Sequence, residues 1–318
     1  MAQAHLIGLD WGTSSLRAYL FGADGSVAQA HEADAGIQAL APGSYRESFE
    51  SLCHDWLTRD PELPVIACGM IGSRQGWREA SYAPTPAGFT ELASAMLSMD
   101  DLAGRRFRVV PGVHTRSATG AHDVIRGEET QVIGVLSRLG LQHATVVLPG
   151  THSKWVLVRD RRILAFGTYM TGELYGVLAR HSILGRMFDE TPGGRPPASE
   201  DRAFLDGLKR SADDPAGLSH HLFSVRAEAL FNRYDGQALP AYLSGLLIGA
   251  EIAHARIHWL SDESQHNTGP ILLVGSHALL ERYAAALGIA GIAVTVVPDA
   301  PVADGLLALA RAAGLVCG

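Results

Sequence analysis

Cysteine is scarce in this sequence, and its three copies lie far apart. Cys53, Cys68 and Cys317 form no CxxC pair and no spacing typical of metal ligands. A disulfide framework or a structural zinc site is therefore not the basis of the fold, and reduced thiols are expected. The first residues also lack a basic segment followed by an apolar segment and a cleavage site, so no secretory leader is expected. Both observations predict a cytoplasmic protein.

Long apolar runs and blocks of positive charge are missing as well. The apolar stretch 243–252 is much shorter than a membrane span and is interrupted by glycines, so no membrane partner is expected. Asp and Glu outnumber Lys and Arg by 33 to 26, which gives a formal net charge of −7. Because no basic stripe is interleaved with aromatic residues, nucleic acid is not an expected partner either.

What the sequence does contain is an alternation of strand and helix patterns. Apolar runs such as 64–73 and 106–113 alternate with amphipathic segments such as 45–60, which is typical of an α/β fold. The chain has 318 residues, of which 47% are hydrophobic, and this length predicts two domains.

The first strand pattern ends in an acid and a turn rich in hydroxyl groups. In "HLIGLDWGTSSLRAYLFGADGSV", Asp10 closes the apolar run, and Gly12, Thr13 and Ser14 follow it. An ordinary hairpin needs no such set of hydroxyls, whereas backbone N–H groups freed by glycine and short side chains can converge on a phosphate. The carboxylate could hold the accompanying cation. A plain polar turn is the alternative interpretation.

The layout of this stretch recurs in the middle of the chain. "ATVVLPGTHSKWVLVRDRRILAFGTYMTGE" again has a strand, a Gly-Thr-x-Ser turn, a second strand, a charged tip and a third strand. Aligning Gly12 with Gly150 places Thr13 on Thr151, so a half-chain duplication is predicted. Leu148 occupies the place of Asp10, and only the first copy therefore carries the acid. Later, "GPILLVGSHALLERYAAALG" predicts a strand, a glycine turn at Gly275 and a helix.

Six segments, in order along the chain, resemble 2-dehydro-3-deoxygalactonokinases. They are "LDWGTSSLR", "RGEETQVIG", "LPGTHSKW", "TGELYGVLARHSILG", "LSGLLIGAE" and the turn "VGS". That family belongs to the actin–hexokinase–Hsp70 superfamily, so the resemblance implies two duplicated ribonuclease-H-like domains, 1–120 and 121–318, with a cleft between them. It also implies ATP-dependent phosphorylation of 2-dehydro-3-deoxy-D-galactonate on O6, in D-galactonate breakdown.

The resemblance also implies roles for the residues of these turns. Asp10 would hold Mg²⁺, largely through water, because Mg²⁺ loses its waters reluctantly. The donors to the phosphates and the adenosine would be Gly12, Thr13, Ser14, Gly150, Thr151, His152, Gly275 and Ser276. Positioning and charge neutralisation of this kind supply most of the barrier reduction in phosphoryl transfer.

A general base is expected in "RGEETQVIGVL", a predicted helix start. Related carbohydrate kinases carry an acid-containing segment at this place, although they commonly have Asp where this chain has Glu128 and Glu129. Neighbours on a helix point about 100° apart, so only one of the two can face the substrate hydroxyl. The position next to Gly127 favours Glu128. Matching of two acids to the helix dipole is the alternative.

A sugar acid needs a cation or N–H groups at its carboxylate and polar groups at its hydroxyls. The glycine-rich loop after the strand at 64–73 offers Ser73, Arg74 and Trp77, with Arg74 as the candidate for the carboxylate. Gly36, Thr171 and Glu173 complete the predicted substrate set. An exposed loop arginine and a glutamate in a first helical turn are the simpler interpretations of Arg74 and Glu173.

Two other functions are compatible with parts of this pattern. A kinase of the same superfamily could act on another small sugar acid or polyol, because the phosphate turns do not define the acceptor. A sugar-sensing regulator on this fold would need a DNA-binding module, for which the acidic sequence has no basic helix. The predicted partners are ATP and a small sugar acid, and the sequence leaves a homodimer open.

Overall fold

The computed structural model of the protein describes residues 4–41, 43–117, 119–189, 201–214, 217–260, 269–298 and 301–317. In chain order the strands are β1 (Ala4–Trp11), β2 (Leu16–Gly22), β3 (Val27–Ala33), β4 (Val65–Gly69), β5 (Tyr82–Pro84), β6 (Ala87–Gly88), β7 (Leu97–Ser98), β8 (Phe107–Val109), β9 (Gly112–Arg116), β10 (His122–Ile125), β11 (Ala144–Leu148), β12 (Ser153–Arg159), β13 (Arg162–Tyr169), β14 (Ile271–Gly275) and β15 (Thr295–Pro298). The α-helices are α1 (Tyr45–Leu52), α2 (His54–Arg59), α3 (Phe89–Ser94), α4 (Asp100–Ala103), α5 (Glu128–Leu139), α6 (Thr171–His181), α7 (Arg202–Asp213), α8 (Leu218–Leu230), α9 (Leu239–His258), α10 (His277–Ile289) and α11 (Val302–Ala312).

The chain folds into two compact units, each built from separate segments of the sequence. Unit 1 contains Met1–Gln142, Val158–Ala165 and Ala300–Gly318, and unit 2 contains His143–Leu157 and Phe166–Asp299. These units differ in extent from the domains 1–120 and 121–318, and that division of the sequence stays a prediction.

The large sheet of unit 1 has the strand order β3-β2-β1-β4-β8-β7. Strands β1, β2 and β3 form an antiparallel meander, whereas β4 and β8 continue the sheet parallel to β1. Every residue of β4 is buried, as expected for a central parallel strand. The edge strand β3 is mostly exposed, as expected for a strand at the edge of a sheet. A smaller sheet has the order β10-β9-β5.

The second large sheet repeats this topology. Its order is β6-β13-β12-β11-β14-β15, with β14 parallel to both β11 and β15. Asp160 and Arg161, both with positive φ, form the tight turn between β12 and β13. In each unit the first strand is central, the second and third lie on one side and two parallel strands lie on the other. The matching orders confirm the predicted α/β class and its duplicated ribonuclease-H-like fold.

Each unit has an apolar core of its own. In unit 1 the core side chains of β1 and β4 pack against Phe49 and Trp56 of the first two helices. In unit 2 the long helix α9 is buried over most of its length and packs with Phe204 and Leu208 of α7. None of the helices in the described part of the chain is long and apolar enough to cross a membrane.

Candidate active site

The first predicted phosphate turn, residues 12–15, joins β1 to β2 in unit 1. Gly12 N–H donates to the Ser15 carbonyl oxygen at 2.9 Å and closes the turn, and the Ser14 side chain is exposed. A Cβ on Gly12 would have the Ser15 carbonyl oxygen as its nearest neighbour, at an ordinary 3.7 Å. Packing therefore does not demand a glycine here. Its small size suits the approach of a phosphate to the backbone N–H groups.

Gly36, which follows β3, packs directly against the first turn. Its N–H donates to the Ser14 carbonyl oxygen at 3.2 Å, and Ile37 N–H donates to the Gly12 carbonyl oxygen at 3.1 Å. A Cβ at Gly36 would lie only 2.3 Å from the Thr13 carbonyl oxygen, a distance that backbone atoms do not tolerate. The close approach accounts for a glycine at this position. Contact of Gly36 with substrate stays a prediction.

Asp10 lies near the end of β1, and its side chain is 22% exposed. Arg17 Nη1 is 4.0 Å from the carboxylate, and the buried Cys68 thiol is directed at Oδ1 with a sulfur–oxygen distance of 3.9 Å. Burial raises the pKa of Asp10, while the Arg17 guanidinium opposes the rise.

These surroundings are compatible with a nucleotide-bound Mg²⁺ at Asp10. Within the described ranges no group of three or more His, Cys, Asp or Glu residues could hold a metal by itself. Mg²⁺ commonly binds through one or two carboxylates together with water and substrate phosphates. A single, partly exposed acid beside a phosphate turn fits that mode of binding.

Glu128 and Glu129 are the first two residues of α5, and the backbone of Gly127 places them. Gly127 has φ +105°, and a Cβ on it would lie 3.3 Å from the Cα of Gly69, so the helix begins beside the end of β4. The Glu128 carboxylate is partly exposed and accepts the Arg126 N–H at 3.0 Å. Glu129 is 0% exposed and accepts the Gly127 N–H at 2.7 Å. The two carboxylates therefore have different surroundings.

The Glu129 carboxylate shares one electrostatic environment with Asp10. Burial raises the pKa of Glu129 to about 7, and the neighbouring Glu128 carboxylate adds to the rise. Burial also raises the pKa of the Cys68 thiol well above its usual range, and both Asp10 and Glu129 contribute to that shift. The carboxyl ends of β1 and β4 thus bring together the predicted metal ligand, the first turn and the acidic helix start.

The pKa of Glu129 predicts a pH-dependent stability. Between its unfolded pKa of about 4.5 and its folded pKa of about 7, the folded protein holds a proton that the unfolded chain has released. This contribution is fully present below pH 4.5 and is lost as the pH rises through 7. Relative to Glu129→Gln, the wild type should therefore lose roughly 3 kcal/mol of unfolding free energy across this window. Urea unfolding of both proteins from pH 4.5 to 7.5 measures the difference, and a constant difference would contradict it.

The predicted substrate loop follows β4. Arg74 is exposed, whereas the Ser73 hydroxyl is buried and has no hydrogen-bond partner among the described residues. A buried hydroxyl without a partner is unusual, and a ligand or water oxygen would satisfy it. Trp77 packs against the core of unit 1, with its ring stacked on Tyr45 and edge-on to Trp11. The substrate contacts of Ser73, Arg74 and Trp77 stay predictions.

The second turn, residues 150–152, joins β11 to β12 in unit 2. Thr151 and His152 are exposed, and a Cβ on Gly150 would meet its nearest neighbour, the His152 carbonyl oxygen, at 4.0 Å. This glycine, like Gly12, is not required by packing. His152 Nε2 contacts the carboxylate of Glu173 in the first turn of α6, and Glu173 N–H donates to the Thr151 carbonyl oxygen at 2.9 Å. The Thr171 side chain is buried at the start of the same helix.

Gly172 packs against the second turn as Gly36 packs against the first. A Cβ at Gly172 would lie 2.5 Å from the Gly150 carbonyl oxygen and 2.8 Å from the Thr151 Cα. In both units a glycine just after the third strand therefore touches the turn between the first two strands. This correspondence extends the duplication beyond the residues that the sequence repeat suggests.

We expect Gly172→Ala to displace the second turn. The added methyl group meets backbone atoms, so the free energy of unfolding should fall by about 1–3 kcal/mol and the KM for ATP should rise. Gly176→Ala is the matched control, because a Cβ one turn later in α6 would have Arg180 Nη2 as its nearest neighbour at 3.5 Å. Denaturant unfolding and ATP titrations of both variants measure the effects. Equal behaviour of the two alanine variants would contradict the role of Gly172.

Gly275 and Ser276 lie where β14 ends and α10 begins. Ser276 is the N-cap of α10, its side chain is exposed, and it makes no side-chain capping hydrogen bond. The hydroxyl and the first N–H groups of the helix form a polar end that suits a nucleotide. The predicted contact of these residues with ATP stays a prediction.

Three features of this region escape sequence reasoning. Gly172 packs against the backbone of the second turn, and the Cys68 thiol lies near the Asp10 carboxylate; both contacts join residues that are far apart in the sequence. Glu251, in the middle of the apolar helix α9, is 3% exposed and accepts hydrogen bonds from side chains of three other elements. Its only signal in the sequence is a single acid within "LSGLLIGAEIA".

Comparison with known proteins identifies the family. A sequence model of the family described as 2-keto-3-deoxy-galactonokinase matches residues 10–309. A protein of Rhizobium meliloti (strain 1021), assigned as a 2-dehydro-3-deoxygalactonokinase, is 39% identical over 96% of both chains. The 2-dehydro-3-deoxygalactonokinase of Escherichia coli (strain K12) is 35% identical over 97% of this chain and 98% of its own.

A solved structure supports the same grouping. The crystal structure of a Sinorhizobium meliloti protein assigned to this enzyme is 38% identical and superposes with a TM-score of 0.88. The superposition covers 97% of this chain and 99% of that one. The segment matched by the family model, residues 10–309, includes Asp10, both turns and the acidic start of α5. The chain therefore belongs to the 2-keto-3-deoxy-galactonokinase family.

Proposed function

We propose that the protein is an ATP-dependent kinase that phosphorylates 2-dehydro-3-deoxy-D-galactonate on O6. The product is 2-dehydro-3-deoxy-6-phosphogalactonate, an intermediate of D-galactonate breakdown. The observation that carries this proposal is the full-length match to 2-dehydro-3-deoxygalactonokinases at 35–39% identity. The duplicated phosphate turns supply the physical basis for the use of ATP.

The two turns provide the donors for the nucleotide phosphates. In unit 1 these are the backbone N–H groups and hydroxyls of Thr13 and Ser14, while Gly12, whose own N–H donates to the Ser15 carbonyl oxygen, leaves room for the phosphate. In unit 2 they are those of Gly150 and Thr151 together with the His152 ring, and Gly275 and Ser276 contact the adenosine. Asp10 would hold Mg²⁺, which when bound neutralises charge on the phosphates. Leu148, the counterpart of Asp10 in the second copy, cannot take this role.

Glu128 is the proposed general base. Its carboxylate is partly exposed at the start of α5, whereas the Glu129 carboxylate is sealed from solvent. A base must come within hydrogen-bond reach of the hydroxyl proton that it accepts, and an accessible carboxylate meets this condition better. Glu129 then acts as a buried cap that fixes the helix start through Gly127 N–H.

The sugar acid is proposed to bind through its carboxylate and its hydroxyls. Arg74 is exposed in the loop after β4 and supplies a cation for the carboxylate, while the unpartnered Ser73 hydroxyl is available to a ligand oxygen. Gly36, Trp77, Thr171 and Glu173 complete the proposed set. We also propose a cytoplasmic location, with no nucleic acid or membrane partner, because the proposed reaction uses only ATP and a small sugar acid.

An acceptor panel tests the proposal. Protein, ATP and Mg²⁺ are mixed in turn with 2-dehydro-3-deoxy-D-galactonate, its C4 epimer, D-galactonate and glycerol, and ADP release is measured. We expect the highest kcat/KM with 2-dehydro-3-deoxy-D-galactonate. Faster turnover of glycerol or D-galactonate would assign the chain to a different kinase activity. ATP-independent binding of a sugar acid with no ADP release would favour a sensor.

A further inference from the structure

A buried carboxylate lies in the interior of unit 2, and one residue of the proposed substrate set, Thr171, contacts it. Glu251 is 3% exposed in α9, and it is the one charged residue between Leu239 and Ala255. The side chains around it in this helix are apolar and belong to the core of unit 2. A carboxylate in such a place costs several kcal/mol unless hydrogen bonds compensate its lost hydration. Its presence therefore calls for an explanation.

Three side chains donate to this carboxylate. Trp155 Nε1–H donates to Oε1 at 2.9 Å, Tyr283 O–H donates to Oε2 at 2.6 Å, and the Thr171 hydroxyl also donates to Oε2. Ser153 Oγ in turn lies 2.8 Å from the Tyr283 hydroxyl. All three direct donors are neutral groups, so the charge is stabilised by converging hydrogen bonds. Burial raises the pKa of Glu251, and these bonds oppose the rise.

The donors come from the segments that carry the proposed nucleotide contacts of unit 2. Ser153 is the first residue of β12, directly after the second turn, and Trp155 follows it in the same strand. Thr171 precedes Gly172 and Glu173, which touch the backbone of that turn. Tyr283 lies in α10, the helix that begins immediately after Ser276. One carboxylate thus fixes the second turn, the start of α6 and the helix behind the adenosine contacts.

A neutral or apolar residue could not make the same set of bonds. A carboxylate accepts from several donors at once, whereas a glutamine presents one acceptor oxygen and an NH₂ group that must itself find acceptors. Leucine would leave the Trp155, Thr171 and Tyr283 donors buried without partners. Hydrogen bonds to an ionised acceptor are also stronger and shorter than neutral ones, which holds the elements more rigidly.

We propose that Glu251 is a positioning residue for ATP, which holds the second turn and α10 in the arrangement that binds the nucleotide. The inference rests on the proposed function, because it concerns how that site is held. Glu251 itself does not touch the nucleotide. Its loss should weaken ATP binding more than binding of the sugar acid. Thr171 of the proposed sugar-acid set does contact Glu251, but the carboxylate of the sugar acid is assigned to Arg74 of unit 1.

The variants that test this role separate positioning from stability. Glu251→Gln keeps the size of the side chain, and Tyr283→Phe removes a single hydroxyl while the carboxylate stays. Leu208→Ala, in the same core but outside the network, is the control for a general loss of stability. Ser211→Ala removes a buried hydroxyl that has no partner in the described residues, and it controls for loss of a polar group.

Steady-state kinetics with each substrate varied, calorimetric titration with ATP, and thermal unfolding are measured for all five proteins. For Glu251→Gln we expect the KM for ATP to rise about tenfold or more, because a hydrogen bond to a charged group is lost. The KM for the sugar acid should change about twofold at most. Tyr283→Phe should show a smaller rise in the KM for ATP. This variant serves as the test if Glu251→Gln does not fold. Leu208→Ala and Ser211→Ala should keep the wild-type KM for ATP, even where the Tm falls.

The outcomes distinguish this inference from the proposed function. If the wild type binds ATP and transfers phosphate while Glu251→Gln and Tyr283→Phe match it, the positioning role is overturned and the kinase function stands. A rise in the KM for ATP in Leu208→Ala equal to that in Glu251→Gln would also overturn it, because general destabilisation would then explain both. If the wild type does not bind ATP, the kinase function fails and the positioning role fails with it.

Discussion

Asp10→Asn is expected to lower kcat by about 10²–10³-fold, because the Mg²⁺ that Asp10 is proposed to hold would lose its protein ligand. Charge neutralisation by such a metal lowers the barrier by several kcal/mol. The side chain is nearly isosteric and partly exposed, so the fold should persist. Removing the charge also removes the attraction to Arg17, 4.0 Å away, which is a weak surface interaction. The loss should therefore fall on catalysis and leave stability nearly unchanged.

A Mg²⁺ titration of activity measures this effect. We expect the residual activity of Asp10→Asn to require much more Mg²⁺ than the wild type, while Asp55→Asn, at an exposed acid in α2, behaves as the wild type. Thermal unfolding of each variant confirms that the fold is retained. Near-normal kcat of Asp10→Asn at ordinary Mg²⁺ would remove Asp10 from the metal site.

Glu128→Gln is expected to reduce kcat by about 10²–10⁴-fold, the usual effect of removing a general base. The amide keeps the size of the side chain and can still hydrogen-bond the substrate hydroxyl, so the KM for the sugar acid should change little. Glu129→Gln should instead act on the fold, because Glu129 is fully buried and caps its own helix through Gly127 N–H. The two adjacent variants are therefore each other's control.

The pH dependence of kcat separates the two glutamates further. A base with the pKa of Glu129, about 7, would make kcat rise steeply up to neutral pH. If Glu129→Gln is the inactive variant and this limb disappears with it, Glu129 is the base and the choice of Glu128 is wrong. If both variants turn over normally, the base lies outside "RGEETQ" and the assignment of this segment fails.

The parts of the fold that the sequence predicts are those encoded locally. A strand that ends in a Gly-Thr-x-Ser turn and leads into a second strand is readable wherever it occurs, and its recurrence at Gly150 predicts the duplicated sheets. The acidic helix start at Glu128 is equally local, because glycine before two acids marks a helix N-terminus. Patterns of this kind involve residues that are neighbours in the chain, so they can be recognised in a single sequence.

The features that the sequence does not predict depend on long-range contacts. Gly172 is required because backbone atoms of Gly150 and Thr151 approach it, and nothing in "MTGEL" states that distance. The partners of Glu251 lie 32, 80 and 96 residues away along the chain, so its network exists only in the folded unit. The stacking of the Trp77 ring on Tyr45 is likewise a long-range contact that the sequence does not show, and the substrate contact of Trp77 stays a prediction.

The central claim is that this chain transfers the terminal phosphate of ATP to the primary hydroxyl of a six-carbon sugar acid. The most direct measurement is the proton-coupled ³¹P NMR spectrum of the product formed from 2-dehydro-3-deoxy-D-galactonate, ATP and Mg²⁺. We expect a new phosphomonoester signal split by the two methylene protons on C6, together with one equivalent of ADP. A signal coupled to a single proton would place the phosphate on O4 or O5, and ADP with free phosphate alone would mean that ATP is hydrolysed without transfer. Either result would contradict the proposed function.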